Sequence, residues 1–343
     1  MHEPSQTARR LLRGGAALLL ALMLTASIPA GAVEASDAGA LPKTLVPVGH
    51  TVGIKLFARG VLVVRLPDDP TPARACGLQT GDVIVKCGGT SVRSTEQFQA
   101  LLQDGGGEAT DLQISRNGRQ MALSVSPEKN EAGTYSIGAW IRDSMAGIGT
   151  VTYYDPATGA FGALGHGIAD VDTALLMPFS SGSILPSTVK AVKKGEAGSA
   201  GELRGDFDLT GDLGTLYANT ECGVFGELTG DAPDAWDVGQ PLEVASAEEV
   251  APGPAQILSN VEGDEIRTYD IEILSVGGSD GRDMVLSVTD PELIAATGGI
   301  VQGMSGSPIV QNGKFVGAVT HVLLSDPTKG YGIFLETMLK AAE

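Results

Sequence analysis

The stretch GGIVQGMSGSPIVQNGKFVGAVTHV occupies residues 298–322. Its centre, Gly303-Met304-Ser305-Gly306-Ser307-Pro308, sets a serine among glycines and closes on a proline. Such a turn exposes a side chain while its backbone takes angles that bulky residues resist. The segments PIVQ and KFVGAVTHV behind it read as strands joined by Asn312-Gly313, a type I′ hairpin signal. A serine held this way suits nucleophilic catalysis, which needs an exposed hydroxyl beside backbone N–H groups that can meet a developing oxyanion.

Working outward, the whole chain favours strands and turns. It has 343 residues, of which 47 are Gly, and only 5% are aromatic. The Gly share is about twice the usual ~7%. "TYDIEILSV" and "DMVLSVTD" alternate as half-buried strands do. "GTVTYYDPATGAFGALGHGIAD", residues 149–170, reads as a hairpin turned at Asp155-Pro156 and Gly159. It ends in Gly165-His166-Gly167.

The net charge is −18. Residues 1–32 carry three arginines and one glutamate, a net of +2, so the remainder holds −20. So acidic a body repels phosphate backbones and argues against nucleic-acid binding. The densest basic group, Lys190, Lys193 and Lys194, reads as a solvated face. Three cysteines, Cys76, Cys87 and Cys222, form no C-x-x-C and no disulfide framework, and read as small apolar residues. Four dispersed histidines without H-E-x-x-H give no zinc signature. No metal or organic cofactor is expected.

Arg9, Arg10 and Arg13 precede the apolar run "AALLLALMLTASI", with Ala30-Gly31-Ala32 as a small-residue cleavage site. Residues 1–32 therefore read as a signal peptide, or as a retained N-terminal membrane anchor if uncleaved. Residues 33–44 read as a linker.

Residues 45–127 form the next unit. "TVGIKLFARGVLVVRL" reads as two strands, and "STEQFQALLQDG" as a capped helix with Phe98, Leu101 and Leu102 on one face. "LQISRNGRQMALSV" reads as a hairpin around Asn117-Gly118. With Gly77-Leu78-x-x-Gly81-Asp82-x-Ile84, this order resembles a bacterial PDZ domain. The resemblance places a carboxylate-binding loop on Gly53, Ile54, Lys55 and Leu56, after Val52, and a groove helix over residues 95–103. A spacer without ligand is the other reading. Residues 128–134 form a polar joint, and residues 135–343 the second domain.

The Ser305 loop resembles the G-D-S-G-G-P nucleophile loop of chymotrypsin-like serine proteases, with Met304 and Ser307 as departures. That resemblance implies a mainly β chain: a PDZ domain (α+β) followed by a chymotrypsin-like double β-barrel. It assigns the oxyanion-hole N–H groups to Gly303 and Ser305, and places Thr320 and His321 on the substrate strand. His2 lies in the export segment and His50 at the PDZ entry, which leaves His166 and His321 as candidate bases.

A longer match, through "DSMAGIGTVTYYDP", Gly165-His166-Gly167-Ile168-Ala169-Asp170 and residues 289–333, resembles the stage IV sporulation protein B family of PDZ-containing serine peptidases. It covers about residues 45–340. Carried over by position, the family's catalytic residues fall on His166, Asp290 and Ser305. Asp290 followed by Pro291 is also a standard helix start, and Asp170 and Asp172 are alternatives. The resemblance implies export to the space between forespore and mother-cell membranes and self-cleavage near the N-terminus. It also implies cleavage of the regulatory subunit of the membrane-embedded pro-sigma-K processing protease, a forespore-to-mother-cell signal. Rival readings are a secreted PDZ adaptor with an inactive protease domain and a general envelope quality-control protease.

Overall fold

The computed structural model describes residues 42–343 except 209–210, 231, 233–235, 237 and 279–281. The expected export segment 1–32 and most of the linker lie outside the described residues.

The described chain opens with β1 (Thr44–Pro47) and the long strand β2 (Thr51–Arg65). The distal end of β2 enters a small α+β unit and pairs with β3 (Val83–Cys87). β3 pairs with β4 (Thr90–Ser91) and β5 (Thr110–Arg116), and β5 with β6 (Arg119–Val125). Asn117 and Gly118 turn β5 into β6 with φ of 50° and 76°, as the hairpin reading required. Helices α1 (Pro72–Ala75) and α2 (Thr95–Asp104) cover the sheet. Ser94 caps α2 by accepting the Gln97 N–H, and Phe98 and Leu102 are its buried residues. They join Val61, Ile84, Leu112 and Ile114 in one core. A short ribbon, β7 (Glu128–Lys129) with β8 (Tyr135–Ser136), leads out of this PDZ-like unit.

The next strand, β9 (Trp140–Tyr154), returns along β2. Its start pairs with the PDZ end of β2 (Val63↔Ile141, Arg65↔Trp140) and its middle with the other end (Phe57↔Ser144 to Thr51↔Thr150). Then follow β10 (Ala160–Ala163), β11 (Phe179–Lys193), β12 (Glu202–Phe207), β13 (Gly214–Thr220) and β14 (Gly223–Leu228). Pairing runs β2–β9–β10–β14–β13–β11 and back to β2, a closed ring. Val52, Ile54, Val151, Phe161, Ile184 and Val224 fill it. β12 pairs with β11 outside the ring, and β15 (Leu242–Glu243) pairs with β1.

The second barrel comprises β16 (Gly253–Glu262), β17 (Glu265–Val276), β18 (Met284–Val288), β19 (Pro308–Gln311), β20 (Lys314–Val322) and β21 (Lys329–Phe334). It closes in the order β16-β17-β18-β21-β20-β19. α3 (Pro291–Thr297) lies between β18 and β19, and α4 (Leu335–Lys340) follows β21. A shared apolar cluster joins the barrels: Leu45, Tyr153 and Phe225 of the first pack with Phe315, Ile333 and Met338 of the second region.

The double barrel agrees with the expected fold, but the expected domain order needs correction. The PDZ domain does not precede the peptidase as a separate block over residues 45–127. It is inserted into the first barrel, which owns β1, the proximal half of β2 and β9. The predicted carboxylate-binding loop is corrected with it. Gly53, Ile54, Lys55 and Leu56 lie in mid-strand, paired with β11 on one edge (Leu185↔Gly53 to Gly182↔Leu56) and β9 on the other (Gly53↔Ile148 to Leu56↔Met145). Main-chain groups paired on both edges cannot cradle a peptide carboxylate. The two strands expected within residues 51–66 are one strand, with a shift in register between Phe57 and Leu62.

Candidate active site

A cleft of about 990 Å³ is lined by residues of both barrels, among them His166, Gly303, Ser305, Thr320 and His321. Each reaches it for a local reason. β10 ends at Ala163, and the following turn carries His166 into the cleft. β19 pairs with β20 only as far as Ala318, so Thr320, His321 and Val322 line the cleft beyond that ladder. The opposite wall includes Met145, Ala146, Gly147 and Ile148 of β9. Ile54 also lines the cleft, but as a wall of the barrel rather than a PDZ contact.

The serine loop is fixed one peptide at a time. The Gln302 carbonyl accepts from the Leu203 N–H at 2.8 Å, and the Met304 carbonyl from the Ser307 N–H at 3.0 Å. In a planar trans peptide the N–H points opposite its carbonyl. These two bonds therefore aim the N–H groups of Gly303 and Ser305 away from the loop's own contacts. The alternate N–H groups are engaged: Met304 donates to Val301 O at 3.1 Å and Gly306 to Val319 O at 2.7 Å. Among the described residues, the Gly303 and Ser305 N–H groups meet no protein acceptor. They are the pair expected as oxyanion donors.

Ser305 Oγ donates to Thr320 O at 2.8 Å. His166 Nδ1 lies 2.9 Å from Gly167 O. As a donor to that carbonyl, Nδ1 keeps its hydrogen and Nε2 keeps a lone pair. Burial lowers the His166 pKa below the ordinary histidine value, against the opposing effect of the Gly167 carbonyl. The His321 ring lies 4.9 Å from that of His166, tilted by 36°. Desolvation, then His166 and Arg282, bring His321 down to about 4. Both rings are therefore neutral near pH 7.

The structure does not bring Asp290 to the imidazole, and this expectation is corrected. Its Oδ1 accepts the Glu292 and Leu293 N–H groups at 2.9 Å each, and its Oδ2 the Asp270 N–H at 3.3 Å. It is the N-cap of α3, followed by Pro at the first helical position. The alternatives are engaged elsewhere too. Asp170 is fully buried and pairs with Arg142 of β9, which also holds Asp172 at 3.0 Å. Burial alone would raise the Asp170 carboxyl, but hydrogen bonds from Thr173 and the Arg142 guanidinium outweigh it and hold it low. The acceptor at His166 Nδ1 is thus a backbone carbonyl. Sequence reasoning missed it, and missed the Leu203 clamp, because backbone contacts leave no residue-type signature.

His50 is buried and bonded through Nδ1 to Thr51 O at 2.6 Å, away from the cleft's lining residues. None of the three cysteines is in a disulfide; Cys87 is buried, Cys76 and Cys222 half-buried. Among the described residues, no group of three or more His, Cys, Asp or Glu could hold a metal ion.

Comparison with known proteins bears on this geometry. Residues 63–116 match the PDZ domain family, within the inserted unit. The zinc metalloprotease RasP of Oceanobacillus iheyensis is 37% identical over 62 residues, 18% of this chain and 15% of its own length. A putative zinc metalloprotease of Clostridium perfringens is 26% identical over 118 residues, 34% of this chain and 35% of its own. The chain thus spans about a third or less of these curated relatives. Among solved structures, the PDZ domain of the SdrC-like protein from Listeria monocytogenes is 22% identical, covering 24% of this chain and 87% of its own, with TM-score 0.22. The active form of the Rv3671c protease from M. tuberculosis is 14% identical, covering 58% and 73%, with TM-score 0.31. The SpoIVB peptidase S55 family matches residues 133–339, more than half of the chain and nearly all of both barrels outside β1 and β2. The chain is a peptidase of the SpoIVB family, with a PDZ domain set into its first barrel.

Proposed function

We propose that the chain is an exported sporulation serine endopeptidase in which Ser305 is the nucleophile and His166 its base. The observation that carries this reading is the Ser305 loop itself: a hydroxyl in the same cleft as a neutral imidazole, beside two N–H groups without a protein acceptor. The mechanism requires the hydroxyl to leave Thr320 O and turn toward His166 Nε2. Ser305 Oγ attacks the scissile carbonyl as Nε2 takes its proton, and the oxyanion is met by the N–H groups of Gly303 and Ser305. The imidazolium then protonates the leaving amine, and water repeats the cycle on the acyl-enzyme. The Gly167 carbonyl holds the tautomer throughout. Thr320 and His321 flank the bound peptide.

The substrates are proteins: the chain itself near its N-terminus, and the regulatory subunit of the membrane-embedded pro-sigma-K processing protease. The site of action is the space between forespore and mother-cell membranes. Support comes from family membership, the long C-terminal motif and the export-like N-terminus.

The bond from Ser305 to Thr320 favours a second reading, in which the catalytic domain is inert and the chain serves as a PDZ adaptor. One experiment separates them. A fluorophosphonate should label the protein at Ser305, and Ser305→Ala should abolish labelling and proteolysis with an unchanged melting curve. A folded wild-type protein that resists labelling supports the adaptor. Labelling that survives Ser305→Ala moves the nucleophile elsewhere.

A further inference from the structure

The geometry points to Thr150 as a positioning residue for the oxyanion loop, acting through its hydroxyl. This rests on Ser305 being the nucleophile. Thr150 lies in β9, is fully buried, and touches the loop twice. Its Oγ1 donates to Gly303 O at 2.7 Å, and its N–H donates to Ser305 O at 3.1 Å. Its own carbonyl accepts the Leu164 N–H at 3.1 Å, two residues before His166. One residue thus ties the nucleophile's turn to the turn that carries the base.

The hydroxyl acts beside the glycine of the loop with a positive φ that precedes the nucleophile. Gly303 has φ of 99°, in the region open to glycine, and needs a restraint on its other dihedral. The peptide before it is fixed by the Leu203 N–H. The peptide after it presents the Gly303 carbonyl, and the Thr150 hydroxyl is the side chain that takes hold of it. Without that bond the peptide after Gly303 is held only by the Met304 N–H to Val301 O at 3.1 Å, and the N–H groups on either side of Met304 aim less firmly together. An oxyanion donor removed outright costs about 10²–10³ in turnover. A donor pair loosened but still present should cost about tenfold to a hundredfold.

The test is Thr150→Val, which keeps the shape and removes the hydroxyl, with Thr150→Ser as the rescue. Thr150→Val should lower kcat on a peptide ester by about tenfold to a hundredfold with KM changed less than about threefold. The fluorophosphonate labelling rate at Ser305 should fall in parallel. The pH midpoint of the acid limb should not move, because His166 keeps its contacts. Thr150→Ser should recover kcat to within a few fold. A Thr150→Val kcat within twofold of wild type overturns the proposal. So does a Thr150→Ser variant as slow as Thr150→Val, since that assigns the effect to the methyl group's packing. If Thr150→Val does not fold, Thr150→Ser and Thr150→Ala decide, compared per labelled site: equal rates refute the role. Failure of Ser305 labelling in the wild type would instead strike at the nucleophile assignment.

Discussion

Replacing Gly306 with alanine should separate the loop from β9, slowing catalysis and destabilising the fold together. Gly306 has φ of 99°, and an added Cβ would lie 2.1 Å from Thr150 O and 2.6 Å from Leu164 N. Real Cβ atoms essentially never come within 3.0 Å of a neighbour, so the loop must retreat by at least 0.9 Å. A displacement of about 1 Å at reacting groups costs about 10²-fold in rate. The left-handed backbone adds about 1–2 kcal/mol of strain. Loss of the bonds from Thr150 N–H to Ser305 O and from Gly306 N–H to Val319 O adds about 1 kcal/mol each. The sum, about 3–4 kcal/mol, should lower Tm by roughly 5–6 °C for a folded body of about 300 residues. Gly313→Ala is the control: its φ is 76°, and an added Cβ meets nothing within 4 Å. It should share the backbone penalty and keep normal turnover. Thermal melts and fluorophosphonate labelling rates, taken well below both melting points, give the comparison. Wild-type labelling by Gly306→Ala, or equal slowing in Gly313→Ala, would refute the close-approach argument.

Other substitutions test the remaining assignments. Asp290→Ala removes the α3 cap and should cost about 0.5–2 kcal/mol, whereas Asp290→Asn should cost only a few tenths; equal melting curves for the two would deny the capping role. Because burial lowers the His166 pKa, the base stays deprotonated to more acidic pH than an ordinary histidine. The acid limb of kcat/KM should therefore have its midpoint below about 6.5, and a midpoint at or above that value would contradict the burial. Ile54→Asp would place a carboxylate inside the first barrel, where Ile54 is 4% exposed. It should lower Tm steeply, and a well-folded variant with altered peptide binding alone would restore the loop reading.

Much of this was legible in the sequence where a residue type carries its own geometry. Asn117-Gly118 announced its hairpin, Ser94 its helix, and the Gly-Met-Ser-Gly run its exposed turn. Cleft membership of His166 and Ser305 followed because few other residues could do that chemistry. The misreadings share one cause. Residues 51–58 alternate as well in a barrel as beside a PDZ sheet, and only long-range pairing with β11 and β9 decides between them. Asp290-Pro291 satisfies a helix start and a triad motif equally well on paper; the structure commits its carboxylate to three backbone N–H groups. Thr150 was unreadable, since a threonine in a strand is the commonest of sights.

The insertion has a consequence for how the chain assembles. Phe57 and Ser144 face each other across a ladder, so the whole PDZ domain stands where a hairpin would have its turn. Partners in such a ladder have Cα atoms about 4.5–5.5 Å apart. Joining them through an unfolded stretch of residues 58–143 costs about 3 kcal/mol more in closure entropy than a two-residue turn. A PDZ domain that folds first removes most of that cost by delivering its two ends side by side. The expected order of assembly is inserted domain before barrel, and pulsed hydrogen exchange should protect Ile84, Leu112 and Ile114 before Val151 and Ile184. By the same geometry, an Asn-Gly pair bridging Phe57 to Ser144 should close the barrel with the inserted domain excised.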